Sequence, residues 1–222
     1  MRPVSGGKPG DGKAAGGLRL AGRIHVVDDD PSFLTAIERR LTHAGYEVAT
    51  YATAQQLLDN LPTETEASCL LIDVRMPGLD GPALQQRLGE LGSTMPIIFM
   101  TGRADTPVVV KAMKAGAHDF LIKPVASDEL FRAIEKALRH HQVSRDQESR
   151  LSGIRDRIAK LTPRERQVFD LIIRGKINKQ AARELGTSER TIKAHRQRVM
   201  EKMQVRSLAE LVSLAERIGI VG

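Results

Sequence analysis

The chain has 222 residues, 41% of them hydrophobic and 27% charged, and its single cysteine excludes a disulfide framework and any multi-cysteine metal site. No apolar run approaches the roughly 20 residues that span a bilayer, so no membrane role is expected and a cytoplasmic location follows. The net charge of +7 conceals a division into +4 over residues 1–23, −5 over 24–150 and +8 over 151–222, an acidic body followed by a basic end suited to an anionic partner such as nucleic acid.

Residues 1–22, with Gly6-Gly7, Pro9-Gly10 and Gly16-Gly17, have too few apolar side chains to pack a core and read as a disordered extension. From Ile24 the chain alternates between apolar runs and helical periodicity. Ile24-His25-Val26-Val27 reads as a strand. Asp30-Pro31 then starts a helix carrying Leu34, Ile37 and Leu41, which Gly45 ends. Glu47 to Tyr51 is a strand and Thr53 to Leu61 a short helix. Leu70-Leu71-Ile72 is a strand buried on both faces, with Cys69 as a core residue beside it. It closes at Asp73, and Pro77-Gly78 turns the chain. A helix over Ala83 to Leu91, a strand at Pro96 to Met100, a helix from Thr106 to Ala115 and a strand at Asp119 to Ile122 follow. Ser127 is expected to cap a last helix with Leu130, Ile134 and Leu138 on one face. Five strands alternating with five helices predict an α/β fold over residues 23–140, a five-stranded doubly wound parallel sheet with all strand carboxyl ends on one edge.

Residues 141–160 form a charged linker. Leu151, Ile154, Ile158 and Leu161 recur at helical spacing, so the linker either continues the preceding helix with a dimer seam or is mobile. Residues 161–222 predict a second, smaller all-α domain. Thr162-Pro163-Arg164-Glu165 is a capping box with proline at the first helical position, opening a helix with Val168, Leu171 and Ile172 inward. Asn178 to Leu185 is a second helix and Gly186 a tight turn. Ser188 caps a third helix, with Ile192, Val199 and Met203 inward. Leu208, Leu211, Val212 and Ala215 mark a fourth. Two short helices joined through a glycine turn, the second displaying cations, match a helix-turn-helix.

The strand ends carry the chemistry. Asp28 and Asp29 follow the first strand, Asp73 the third, Thr101 the fourth and Lys123 the fifth. Three carboxylates on one edge repel one another, and a divalent cation offsets that repulsion; Mg2+ suits a site of few carboxylates and some water. With Lys123 as counter-charge and Thr101 as hydroxyl donor, the set describes a pocket for a phosphoryl group on Asp73. An aspartyl-phosphate hydrolase is the rival reading. It needs a second acid two residues after the nucleophile, and that position is Arg75.

These motifs resemble a known family. Val26-Val27-Asp28-Asp29-Asp30, Asp73-Val74-Arg75-Met76-Pro77-Gly78, Met100-Thr101-Gly102 and Lys123-Pro124 resemble the receiver domain of bacterial two-component response regulators. Leu161 to Val168, Asn178 to Ala182 and Thr191-Ile192-Lys193-Ala194-His195 resemble the LuxR-type helix-turn-helix. Together they are similar to NarL/FixJ-type transcriptional regulators, nearest the FixJ branch. The resemblance implies a flavodoxin-like receiver in which Asp73 accepts a phosphoryl group from a sensor histidine kinase. It implies Mg2+ held by Asp29, Asp73 and the main-chain carbonyl of Arg75, with Asp28 acting through water. Lys123 would pair with the phosphoryl group, Thr101 would move to bond it and Phe120 would turn inward behind it, across a cis Lys123-Pro124 bond. Phosphorylation would then favour a homodimer through the Thr106 to Ile122 face, with RNA polymerase as a further contact. The rival within this family is a receiver that serves only as a dimer scaffold.

On the third helix of the small domain, Lys193, Gln197 and Met200 share one face by spacing and Ala194 and Arg198 an adjacent row. The resemblance points to Lys193, Ala194 and Gln197 as groove-facing, where Lys contacts guanine, Gln pairs with adenine and Ala touches a thymine methyl. Thr191, Arg198, Lys179 and Arg206 suit phosphates, and His195 is expected to be packed or backbone-bonded. With no Trp, two Tyr and five Phe, the chain offers little to stack on unpaired bases, which favours double-stranded promoter DNA.

Overall fold

The computed structural model describes residues 22–63, 66–102 and 106–220, so the expected disordered extension lies outside the described residues except for Gly22. Gly22 itself is packed: a Cβ there would come within 2.8 Å of Leu138 and 2.9 Å of the Ala67 carbonyl, so it belongs to the fold that follows. The chain forms two compact units that divide between Val143 and Ser144.

The first unit alternates strand and helix: β1 (Arg23–Val27), α1 (Pro31–His43), β2 (Glu47–Tyr51), α2 (Ala54–Asp59), β3 (Ser68–Asp73), α3 (Gly81–Glu90), β4 (Ile97–Thr101), α4 (Thr106–Lys114), β5 (Asp119–Ile122) and the start of α5 (Ser127–Ala159). The sheet is parallel, in the order β2-β1-β3-β4-β5. The continuous apolar runs are explained by burial on both sides. In β3, Cys69 and Leu71 enter one core with Ile24, Val26, Ile98 and Met100, beneath α1 and α5. Leu70 and Ile72 enter the other with Val27, Ile97 and Phe99, beneath α2, α3 and α4. The strand order reverses between β1 and β3, and the crevice at such a switch point is where open α/β sheets hold ligands.

Local chemistry sets the helix starts. Asp30 accepts from the amides of Ser32 and Phe33, and Asp80 from that of Ala83. Ser127 is not a cap as expected. It occupies the first helical position, where Ala126 supplies the first carbonyl and the Ser127 hydroxyl accepts from Arg40 at 2.7 Å. The linker is helical, since α5 runs 33 residues to Ala159. Its expected dimer seam is not available, because Ile154, Ile158 and Leu161 are buried in the second unit's own core with Val168, Phe169 and Ile172.

That second unit adds α6 (Pro163–Ile173), α7 (Asn178–Glu184), α8 (Glu189–Met203) and α9 (Leu208–Arg217). The capping box of α6 is complete: the Glu165 amide donates to the Thr162 hydroxyl and the Thr162 amide to Glu165 Oε2 at 2.9 Å. Lys202 Nζ also donates to that oxygen, at 2.6 Å, tying α8 to the start of α6. The Lys202 ammonium and then the Thr162 amide hold the buried Glu165 carboxyl down to about 2. This stabilisation is present above the ordinary glutamate value of 4.5 and is lost as pH falls toward 2. Glu165→Ala should therefore destabilise the second unit by about 1–2 kcal/mol at neutral pH, as read by urea unfolding, with the difference from wild type shrinking under acid.

Candidate functional site

The carboxyl edge of the sheet brings Asp28, Asp73 and Lys123 together from β1, β3 and the end of β5. Lys123 Nζ donates to Asp73 Oδ1 at 2.7 Å and to Asp28 Oδ2 in a shorter contact. Its ammonium also lies 4.1 Å from the centre of the Phe33 ring, a cation–π contact from the first turn of α1. Asp73 uses its other oxygen to accept the Arg75 amide at 2.7 Å, and Asp28 Oδ1 accepts the Asp30 amide at 3.1 Å. Thr101 is buried at the end of β4, its carbonyl accepting the Lys123 amide at 2.7 Å. Asp29 is exposed, and Phe120 is half-buried against the core beneath α3 and α4. The Lys123-Pro124 bond is cis.

The charges are incompletely balanced. Burial pushes the Asp28 carboxyl above the usual aspartate range, and the Lys123 ammonium only partly opposes this. Burial works against the Lys123 charge too, yet its bonds to Asp28 and Asp73 hold the ammonium above its ordinary value. One ammonium among three acids leaves negative potential on the edge. The donors present are hard oxygens, which fit a Mg2+ ion. Among the described residues no three His, Cys, Asp or Glu side chains gather as a metal cluster, so such an ion would take at most two carboxylates and fill its shell with carbonyl and water.

Two residues at this edge carried no signal singled out in the sequence. A Cβ on Gly81 would come within 2.6 Å of the Asp73 carbonyl, so only glycine lets α3 start directly behind Asp73. Phe33 supplies the ring under Lys123. The Asp80-Gly81-Pro82 helix start was the available clue to the first. Nothing local marks the second.

In the second unit, α7 and α8 are joined through Gly186, whose φ of 62° lies in the left-handed region. Arg164 Nη2 donates to the Leu185 carbonyl at 2.5 Å and fixes the turn to α6. Ala181, Ile192, Val199 and Met203 are buried between the helices. Lys193, Ala194, Gln197 and Arg198 are exposed along α8, as are Lys179 on α7 and Arg206 before α9. Gln197 donates to Glu201 at 3.0 Å, and the Thr191 hydroxyl is bonded to that of Ser188 at 2.9 Å. One expectation needs correction: Met200 does not share the outward face, because it packs against the core. His195 is packed, as expected, half-buried with its Nδ1 enclosed without a partner among the described residues.

Residues 24–135 match the response regulator receiver domain, and residues 159–215 match the bacterial regulatory proteins of the luxR family. The chain is 45% identical over 204 residues to the transcriptional regulatory protein FixJ of Bradyrhizobium diazoefficiens, covering 92% of this chain and 99% of that one. It belongs to the response regulators with a LuxR-type output domain. The regulator is also 39% identical to the response regulator protein TodT of Pseudomonas putida, over 95% of this chain and 94% of that one. Among solved structures, response regulator StyR superposes with a TM-score of 0.81 at 42% identity, over 88% of this chain and 98% of that one. Members of this family are phosphorylation-dependent, DNA-binding transcription regulators of two-component systems; their receivers take phosphoryl groups from histidine kinases and bind Mg2+ where they are phosphorylated. This regulator is one of them, and no helix among its described residues is long and apolar enough to cross a membrane.

Lys123→Ala removes the counter-charge that Asp28 and Asp73 share. The first unit should lose about 3 kcal/mol of stability at neutral pH. The loss should shrink in mild acid, because a carboxyl whose folded value is raised destabilises only while ionised, and Asp28 then takes up a proton. Urea unfolding at neutral and acidic pH measures both effects.

Proposed function

We propose that Asp73 is the phosphoacceptor of this regulator and that the face of α8 carrying Lys193, Ala194 and Gln197 reads its promoter DNA. The observation that carries the first part is the convergence of Asp73 and Asp28 on the Lys123 ammonium at the switch point of the sheet. The Asp73 carboxylate attacks a phosphoryl group carried by a histidine kinase, forming an acyl phosphate while the kinase histidine leaves. Asp29, Asp73 and the Arg75 carbonyl would hold a Mg2+ ion, with Asp28 acting through water, and the ion would supply charge neutralisation for the transferred group. Lys123 then exchanges its bond to Asp73 Oδ1 for one to a phosphoryl oxygen. Thr101 supplies a hydroxyl to another oxygen, and Phe120, held only at the margin of its core, turns inward.

The readout is a change in the α4–β5 surface, where Val110, Met113 and Ile122 are exposed apolar side chains. Pairing of two copies there presents two basic helices to paired half-sites, which raises affinity without any new contact to DNA. Thr191, Arg198, Lys179 and Arg206 contact phosphates, and RNA polymerase is a further partner at the promoter. The domains are an extension at 1–22, a receiver at 23–140, a helical linker at 141–160 and the DNA-binding domain at 161–222, all in the cytoplasm. The chain acts as a switch and not as an enzyme, because Arg75 stands where a hydrolase places its second acid.

Incubation with a small-molecule phosphodonor and Mg2+ should give an acid-stable, base-labile adduct on the wild-type chain and none on Asp73→Asn; normal labelling of the variant would sink the assignment. Lys193→Ala should reduce discrimination between operator and mismatched duplex by about 1–3 kcal/mol. A phosphate-only role predicts instead uniform weakening on every sequence, which competition binding at fixed salt separates.

A further inference from the structure

The sheet has a second edge, opposite the acidic one, where the amino ends of β4 and β5 meet α3 and α5. A cavity of about 220 Å³ lies there, lined in part by Gln85, Ser93, Thr94, His118 and His140. Two of the polar atoms on its lining residues are buried without a hydrogen-bond partner among the described residues: Gln85 Oε1 and His118 Nε2. The Gln85 amide is oriented by its nitrogen, which donates to the carbonyls of Ala112 at 3.4 Å and Ala115 at 3.1 Å, so the oxygen is the atom left over. Buried polar atoms are normally satisfied, and two unmet ones on residues of a single cavity point to a guest.

The guest's chemistry follows from the histidines. The His118 and His140 rings lie with centroids 5.2 Å apart and planes tilted by 40°. Two imidazoles sharing one tetrahedral ion at the usual metal–nitrogen length place their centroids about 5 Å apart. Burial lowers the His118 pKa, with the charges of His140 and Lys136 adding and Asp119 opposing, which favours the neutral ring that metal binding requires. Neighbouring His141 is already committed: its Nδ1 accepts the Ser68 amide at 2.9 Å and its Nε2 lies 3.4 Å from the Thr94 hydroxyl. Water alone would meet the two unpartnered atoms but gives no reason for the paired rings.

We propose that His118 and His140 bind a divalent transition cation of the Zn2+ class at this cavity, with Gln85 Oε1 accepting a hydrogen bond from a metal-bound water. Among the described residues no third His, Cys, Asp or Glu completes a cluster, so the other positions fall to water and the site is an exchangeable one. Imidazole pairs favour Zn2+, Ni2+ or Cu2+ over the hard Mg2+ of the acidic edge. Occupancy would clamp α5 to the turn that precedes β5.

Calorimetric titration of the full chain with Zn2+, in excess Mg2+ to fill the acidic edge, should give one Zn2+ site. His118→Gln and His140→Gln should each weaken it by about tenfold or more, and His43→Gln, on exposed α1, should leave it intact. His140 is exposed, so its variant keeps the fold. In the wild-type chain, the ring-nitrogen resonances of two histidines alone should move on adding Zn2+. Absence of Zn2+ binding, binding that survives either variant, or movement of other histidine rings overturns the proposal. None of these readouts requires phosphorylation or DNA, so they stand apart from the assignment of Asp73.

Discussion

The ammonium of Lys123 holds the receiver edge together. It reaches from the end of β5 to carboxylates at the ends of β1 and β3, three strands that lie apart in sequence and converge only because the sheet is parallel and its order is β2-β1-β3-β4-β5. Removing the ammonium leaves two carboxylates facing each other in a partly buried place, which is costly. The same imbalance suits the edge to its proposed work. Asp28 remains under-compensated with Lys123 in place, so the edge has an unmet demand for positive charge, and an incoming phosphoryl group displaces a bond that already exists.

The two units handle charge in different ways. The receiver concentrates acid at one strand edge and buries two of its carboxylates there, Asp28 and Asp73. The output unit spreads its cations along exposed faces of α7 and α8 and buries one acid, Glu165, whose role is structural. Glu165 closes the capping box of α6 and anchors Lys202 of α8 through the same oxygen. Helix α8 is thereby fixed at its carboxyl end by an ion pair and at its amino end by Ser188, while the face proposed to read DNA stays exposed in its middle.

Much of this was legible from the chain alone because local rules and tertiary context agree. Asp30-Pro31, Thr162-Pro163 and Ser188 start helices where capping chemistry says they should, and the apolar runs at 69–72 and 97–100 are strands because both faces are covered. Sequence reasoning misjudged residues whose role depends on distant neighbours. Ser127 looks like a cap, yet its hydroxyl is taken by Arg40, 87 positions away. Ile154, Ile158 and Leu161 have the spacing of a dimer seam, yet α6 supplies a nearer apolar surface. Met200 shares a helical row with Lys193 and Gln197, but the packing of α8 rotates it toward the core.

Composition and motif by themselves determined the two-part organisation, the parallel α/β architecture and the helix-turn-helix, because each rests on periodicity, capping and charge that are local to a segment. They also named the strand-end residues Asp28, Asp73, Thr101 and Lys123, since a polar residue closing a buried strand stands out against its surroundings. Only the tertiary structure decided that Lys123 bridges Asp28 and Asp73 above Phe33, that Gly81 must lack a side chain behind Asp73, and that His118 and His140 stand together at the far edge. The first and last depend on distances between segments tens of residues apart, and the second on how the turn after β3 brings α3 back against Asp73, which the Asp80-Gly81-Pro82 helix start alone does not fix.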